Sequence, residues 1–333
     1  MPFLVLAAGA MLQMSSPEPA EAPVPVSAPT PAPAPVETTP LLERMAGAGG
    51  ETIESRTDYY QRMTVPVTIG GEGPFRFMID TGAQATVITR GLSDQLALKS
   101  LGTATVVGMA SAQQVELVEV DGLEFAARTI DNLHAPLLEA HHVGADGILG
   151  LDSLQDLRVL IDFREGTIAV DDAKALGGNR GYEIVVRARH KLGRLIIADA
   201  EIDGVDTAVV IDTGAQGNTG NLELQRKLRA KKLGVVRSTD VHGVELVGNL
   251  DFADYLEIDD IRINNLPIAF ADGPAFAALD LDRRPALILG MRDLRIFDRI
   301  AIDFESRKVL FDLPPGIDRR GPSIEPGSLP SRL

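Results

Sequence analysis

The hexapeptide Ile-Asp-Thr-Gly-Ala-Gln occurs twice in this chain, at Ile79–Gln84 and at Ile211–Gln216, each time closing an apolar run. Asp80 and Asp212 lie 132 residues apart, and the likeness extends to both sides of the hexapeptide. Upstream, "VPVTIGGEGPFRFMIDTGA" and "IIADAEIDGVDTAVVIDTGA" each read as two short strands joined by a glycine turn. Downstream, "DGILGLDSLQDLRVLIDFREGTIAV" and "ALILGMRDLRIFDRIAIDFESRKVLF" each give apolar-apolar-Gly, a short helix-like turn, and a strand carrying "IDF" that turns into a last strand. Gly150 follows Asp80 by 70 residues and Gly290 follows Asp212 by 78. The chain is therefore a duplicated domain, which restricts it to architectures in which two copies of one topology pack together.

Within each copy most segments read as strand. "TVPVTI", "FRFMI", "VELVEV", "RVLIDF", "EIVVRA", "RLIIADAEI", "TAVVI" and "RIAIDF" are short runs rich in β-branched residues, separated by Gly and Asp-Gly turns. Helical spacing is confined to pieces such as "GLSDQLAL" and "NLELQRKLRAKK". The expected fold class is all-β with a few short helices, in two pseudo-twofold-related lobes.

The expected organisation is an apolar leader over 1–20, a Pro/Ala-rich linker over 21–51, an N-terminal lobe over 52–172, an inter-lobe linker over 173–182, a C-terminal lobe over 183–314 and a disordered tail over 315–333. "MPFLVLAAGAML" has the length of a signal-peptide apolar core and is too short to span a bilayer as a helix, although no Lys or Arg precedes it. Export, to a periplasmic or extracellular location with the N-terminus as a conceivable tether, is the expectation from it; a frayed apolar end is the alternative. The alternating Pro and Ala that follow favour an extended, semi-rigid spacer.

Composition excludes several chemistries. Cysteine is absent, so disulfides, thiolate nucleophiles and thiolate metal centres are excluded together. The net charge of −15, with no basic block, argues against nucleic acid as a partner. "IGGEG", "GGNRG" and "VGNL" lack the strand, glycine spacing and helix of a dinucleotide fingerprint, so no cofactor is expected. His141 and His142 are adjacent in what reads as an extended loop, where neighbouring side chains point apart, so no metal is expected either. Asp162 and Asp303 recur in the two "IDF" strands, where turn or edge hydrogen bonds are their expected work.

A single Asp-Thr-Gly most often just ends a strand in a tight turn, glycine permitting an approach that a side chain would block. Two copies in duplicated lobes read differently. Packed about a pseudo-twofold axis, both turns meet at that axis and two carboxylates face one another. Like charges so close do not both ionise, so the pair holds one proton between them and titrates as a unit. Such a pair can deprotonate a water with one carboxylate while the other donates to a carbonyl oxygen, which is amide hydrolysis without metal or covalent intermediate.

On these residues the sequence resembles the retropepsin-like aspartic proteases of bacteria, here as a fused two-lobe chain. The resemblance spans Thr64 to Pro314 and rests on "DTGA" at Asp80–Ala83 and Asp212–Ala215 and on "ILG" at Ile148–Gly150 and Ile288–Gly290. It implies that Asp80 and Asp212 are the catalytic carboxylates. Thr81 and Thr213 would brace the loops between lobes, Gly82 and Gly214 would allow the close approach, and Ala83 and Ala215 stand where pepsin-like enzymes more often carry a hydroxyl residue. Each lobe should also carry a glycine-bearing hairpin flap; "VVGMASAQQVEL" offers Gly108 and Met109, and "DVHGVELVG" offers His242 and Gly243. The implied partner is a protein or peptide in extended conformation, bound by one chain acting as a monomer, with a lobe-swapped dimer open if the linker holds the lobes apart. After the first loop comes apolar "ATVITRGL", after the second polar "GNTGNLEL", so the second loop is expected to be more mobile or differently supported. A non-catalytic peptide-binding module on the same scaffold is the competing reading.

Overall fold

In a computed structural model of the chain, residues 4–6, 11–13, 52–54, 56–57, 63–126, 128–191, 194–230 and 233–314 are described. The Pro/Ala-rich linker, most of the leader and the tail after Pro314 fall outside them.

The first lobe contains β1 (Met63–Ile69), β2 (Glu72–Ile79), β3 (Val87–Thr89), α1 (Arg90–Gln95), β4 (Lys99–Val107), β5 (Ala112–Val120), β6 (Leu133–Leu138), α2 (Ala140–Val143), β7 (Gly147–Leu149), α3 (Leu151–Leu154), β8 (Arg158–Asp162) and β9 (Thr167–Asp171). A connecting strand β10 (Ile184–Arg187) leads to the second lobe. That lobe contains β11 (Arg194–Ile202), β12 (Val205–Ile211), β13 (Thr219–Gly220), α4 (Leu222–Leu228), β14 (Gly234–Thr239), β15 (Glu245–Ile258), β16 (Ile261–Phe270), α5 (Pro274–Ala278), β17 (Ala286–Leu289), α6 (Met291–Leu294), β18 (Arg299–Asp303) and β19 (Lys308–Asp312). Each strand of the second lobe thus carries the number of its first-lobe counterpart plus ten.

The duplication holds at the level of pairing. The shared part of the first sheet runs β4-β5-β6-β3-β7-β2-β1 and that of the second runs β14-β15-β16-β13-β17-β12-β11; Leu123–Phe125 and Arg128–Ile130 continue the first beyond β1, and Arg189–Lys191 continues the second beyond β11. In both, the short apolar-apolar-Gly strand lies parallel to the strand that ends in the aspartate, Leu149 opposite Ile79 and Leu289 opposite Ile211. The short strands Leu4–Leu6 and Met11–Gln13 of the leader add to this scheme, the first parallel to β4 and the second antiparallel to β14.

A third sheet joins the lobes. Its order is β10-β19-β18-β8-β9 with Thr52–Glu54 added antiparallel to β9, and β8 pairs antiparallel with β18 so that Leu160 faces Ala301. Val159, Leu160, Ile161, Ile300, Ala301 and Ile302 are all buried, which is why both strands read as continuous apolar runs rather than as an alternation. Long β15 shows the contrasting case, with Leu246, Ala253, Leu256 and Ile258 turned inward between exposed Val247, Phe252 and Asp254. The inter-lobe connection is itself tied down, since buried Arg158 pairs with Asp303 at 2.6 Å and donates to Asn179 Oδ1 at 2.9 Å and to the carbonyl of Gly178. The two lobes of one chain therefore share a sheet and an ion pair.

Candidate active site

Strands β2 and β12 deliver the two aspartates to one place. Each strand ends as its aspartate amide donates to the neighbouring apolar-apolar-Gly strand, Asp80 to the Leu149 carbonyl at 3.1 Å and Asp212 to the Leu289 carbonyl at 3.0 Å. Each carboxylate then turns the chain. Oδ1 of Asp80 accepts from the amides of Gly82 (2.7 Å) and Ala83 (2.9 Å), and Oδ1 of Asp212 accepts from Gly214 (2.9 Å) and Ala215 (3.1 Å). With one oxygen engaged in its own loop, the other reaches the opposite lobe. A Cβ placed on Gly82 would meet Asp212 Oδ2 at 2.5 Å, and one on Gly214 would press into Asp80 Oδ2. Both glycines are required by what stands beside them, since any side chain would displace the opposite carboxylate. Asp80 and Asp212 are 0% and 1% exposed.

The threonines between them lock the loops together reciprocally. Thr81 Oγ1 donates to the carbonyl of Ile211 at 2.9 Å and accepts from the Thr213 amide at 3.2 Å. Thr213 Oγ1 donates to the carbonyl of Ile79 at 2.8 Å and accepts from the Thr81 amide at 3.0 Å. Each hydroxyl thus satisfies one donor and one acceptor of the other lobe's backbone in a place closed to water.

Behind the loops run the two apolar-apolar-Gly segments. Leu151 donates to the Ala83 carbonyl at 2.9 Å and Met291 to the Ala215 carbonyl at 2.8 Å. The carbonyls of Ala85 and of Gly217 lie where a Cβ on Gly150 or Gly290 would have to be, which explains both glycines. The two lobes then solve one problem with different residues. The amide of Gly150 donates to Thr86 Oγ1 at 3.2 Å, and that of Gly290 to Asn218 Oδ1 at 3.1 Å. Thr86 is held by Asp152 (2.7 Å) and by Ser153 (2.6 Å); Asn218 donates to Asp293 at 2.6 Å and to the Pro267 carbonyl at 3.0 Å. The second loop is therefore differently supported, by a fully buried amide–carboxyl pair in place of a hydroxyl network. Burial pushes the Asp293 carboxyl above its ordinary value, only partly offset by Arg292 and by the hydrogen bond from Asn218.

Gly108 and Met109 lie in the connection of the β4–β5 hairpin, and His242 and Gly243 in that of the β14–β15 hairpin. Met109 is 1% exposed and clusters with Ala215 of the second lobe's loop, together with Val107 and Leu246. Val241 clusters with Ala83 of the first lobe's loop, together with Val106. Each hairpin tip thus packs with the loop of the opposite lobe.

His141 and His142 belong to the short helix α2 rather than to an extended loop, and their rings are 3.9 Å apart. One helical turn brings together neighbours that an extended chain would separate, and this corrects the expectation from sequence. Burial, then His141, lowers the His142 imidazole below its usual value. Among the described residues no three of His, Cys, Asp and Glu are grouped so as to hold a metal ion. Asp162 accepts from the amides of Arg164 and Glu165 in the β8–β9 turn, at 3.0 and 2.9 Å, while Asp303 accepts from Ser306 at 2.7 Å and pairs with Arg158. The sequence reading missed Thr86, Asp152, Asn218 and Asp293. Aligning the repeats six residues beyond each aspartate would have found the Thr86–Asn218 correspondence.

Two β lobes of one topology, presenting paired aspartate loops at their interface, define the bilobal aspartic-protease class. A family model described as aspartyl protease matches residues 65–153 and 198–292, one match per lobe and together more than half of the chain. The chain belongs to the aspartyl protease family. Among proteins with curated descriptions, none matches it.

Proposed function

We propose that the protein is an aspartic endopeptidase that hydrolyses peptide bonds of extended polypeptides with a water activated between Asp80 and Asp212. The observation that carries this reading is the mutual approach of the two loops, each carboxylate lying against the glycine of the other. With Oδ1 of each aspartate occupied by two backbone amides, the pair is oriented alike from both sides, and one proton shared between them supplies an acid and a base at one point. The ionised member takes a proton from water as the oxygen attacks the scissile carbonyl carbon, and the protonated member donates to the carbonyl oxygen. Collapse of the tetrahedral intermediate breaks the C–N bond as the leaving nitrogen takes up the proton first removed from water and the second carboxylate regains a proton from the hydroxyl that becomes the new carbonyl.

Substrate class follows from the strand edges. Strands β4 and β14 run to the hairpin tips, and each accepts an added strand on its outer side, Leu4–Leu6 on β4 and Met11–Gln13 on β14; an extended substrate that displaced these leader segments would add its backbone hydrogen bonds in the same way. The alanine methyls at 83 and 215 are buried and offer no hydroxyl to the ionised pair, which favours activity outside strong acid. The shared sheet and the Arg158–Asp303 pair favour a monomer with both lobes in one site. Export to the periplasm or medium, behind the Pro/Ala spacer, is part of the same proposal and rests on the leader composition. The reading that the chain is only a binding module is less favoured, because the second lobe retains its aspartate, its threonine brace and its glycine.

The test is cleavage of a mixed peptide library over a range of pH, read by mass spectrometry. The proposal expects internal cleavage, extending above pH 4 and blocked by peptides carrying a secondary alcohol in place of the scissile amide. Binding of library peptides without any cleavage would support the module reading instead.

A further inference from the structure

The tip of the second hairpin contains a buried carboxylate with a divided task. Asp240, 1% exposed, uses Oδ1 to accept from the amides of His242 and Val244, both at 3.0 Å, which shapes its own turn. Oδ2 reaches across to the first hairpin, accepting from Ser111 Oγ at 2.7 Å and from the Ala110 amide at 3.2 Å. Gly108 makes room for it, since a Cβ there would stand 2.6 Å from Asp240 Oδ2. A further hydrogen bond joins the same two hairpins, between His242 Nε2 and the carbonyl of Val106 at 3.0 Å.

We propose that Asp240 is a latch that holds the two flap tips together over the aspartate pair, and that the latch must release for a polypeptide to enter. The proposal rests on the endopeptidase reading for what passes beneath the flaps, while the latch itself rests on the hydrogen bonds and on burial. The tips pack with the loops that carry Asp80 and Asp212, so a chain cannot reach the pair from the flap side while they remain joined. The link is asymmetric: one lobe supplies the acceptor and the other supplies an amide and a hydroxyl. The carboxyl oxygen accepts from two donors of the other hairpin, and with the His242–Val106 bond these few contacts at the tips can open without unfolding either lobe. Asp240 is thus a positioning residue that sets flap opening and, through it, the rates of substrate entry and product exit.

The absence of cysteine makes the decisive variant clean. An ideal Cβ on Gly108 lies 3.4 Å from Asp240 Cβ, near the short end of the range bridged by a disulfide. In the full-length chain carrying Gly108→Cys and Asp240→Cys, oxidised glutathione should convert the two thiols into one disulfide, itself being reduced to two glutathione thiols. Intact mass reads the loss of two hydrogens. The latch predicts near-complete cross-linking, at least a tenfold loss of cleavage of long peptides in the cross-linked form, and recovery on reduction, which separates a locked flap from a misfolded chain. Failure of the thiols to join, or full activity in the cross-linked enzyme, would overturn it.

A second variant tests the latch without cleavage. In Asp240→Asn the amide oxygen can keep the two bonds within its own turn, while the amide nitrogen faces the Ala110 N–H. Hydrogen exchange should accelerate at least tenfold at Ala110 and stay unchanged at Val244. Equal change at both amides, or none at either, would refute the divided role. Absence of cleavage by the wild type would count against the endopeptidase reading, and the exchange result would still decide the latch.

Discussion

Replacing Thr81 by valine removes one hydroxyl and almost no volume, and its cost can be worked from the bonds that hydroxyl makes. Its Oγ1 serves the Ile211 carbonyl at 2.9 Å and the Thr213 amide at 3.2 Å, both on the other lobe, and Thr81 is only 3% exposed. Water cannot readily substitute, so valine leaves one buried acceptor and one buried donor short of a partner, at about 1–3 kcal/mol each. The Thr81 amide keeps its bond to Thr213 Oγ1, so the loop is weakened on one side only, and the expected loss is roughly 2–6 kcal/mol. That is a large fraction of the roughly 5–15 kcal/mol by which native proteins are stable. Thr81→Ser retains the hydroxyl and should lose less than about 1 kcal/mol, the size of a buried methyl. Urea unfolding of wild type, valine and serine variants at neutral pH gives the comparison, with cleavage rate as a second readout that should fall with the valine and return with the serine. A valine variant as stable as the serine variant would show that the crossed threonines do not hold the loops, and the account of the inter-lobe brace would fail.

Other expectations follow from the same geometry. Gly82→Ala should abolish cleavage while leaving most of the fold intact, because its methyl would stand 2.5 Å from Asp212 Oδ2; retained activity with an unchanged circular dichroism spectrum would contradict the close approach. Asp293 binds protons more tightly folded than unfolded, since burial raises its carboxyl, so its contribution to stability falls as pH rises from the ordinary 3.8 through the higher folded value. Asp293→Asn should flatten that part of the profile of urea midpoint against pH, and an unaltered profile would argue against a buried protonated carboxyl. Arg158→Ala should cost about 3–5 kcal/mol in denaturant unfolding, because it leaves Asp303 buried without its guanidinium, whereas a loss under about 1 kcal/mol would show the pair to be solvated.

How much of this was legible in the sequence depended on whether it repeated. The paired Asp-Thr-Gly loops, the apolar-apolar-Gly segments and the strand order recur in both halves, so each copy served as a check on the other. Residues that break the repeat were harder to read. Asn218 and Asp293 look like ordinary polar residues in "GNTGNLEL" and "GMRDL", and only their proximity in the fold shows that they replace Thr86 and Ser153. Asp240 is one carboxylate among 47 acidic residues, and nothing local marks an oxygen that bonds to the other hairpin 129 residues away in sequence. His141 and His142 read as loop in the sequence because a single helical turn leaves too little periodicity to detect.

The most direct test of one site built from two lobes is a double-mutant cycle on cleavage, comparing wild type, Asp80→Asn, Asp212→Asn and the double variant with one peptide substrate at fixed pH. If the two carboxylates act as a unit, each single change should lower kcat/KM by on the order of 10²–10⁴-fold or more, and the double variant should be hardly worse than either single one. Losses that multiply in the double variant, or appreciable cleavage surviving in either single variant, would mean that Asp80 and Asp212 do not share one reaction.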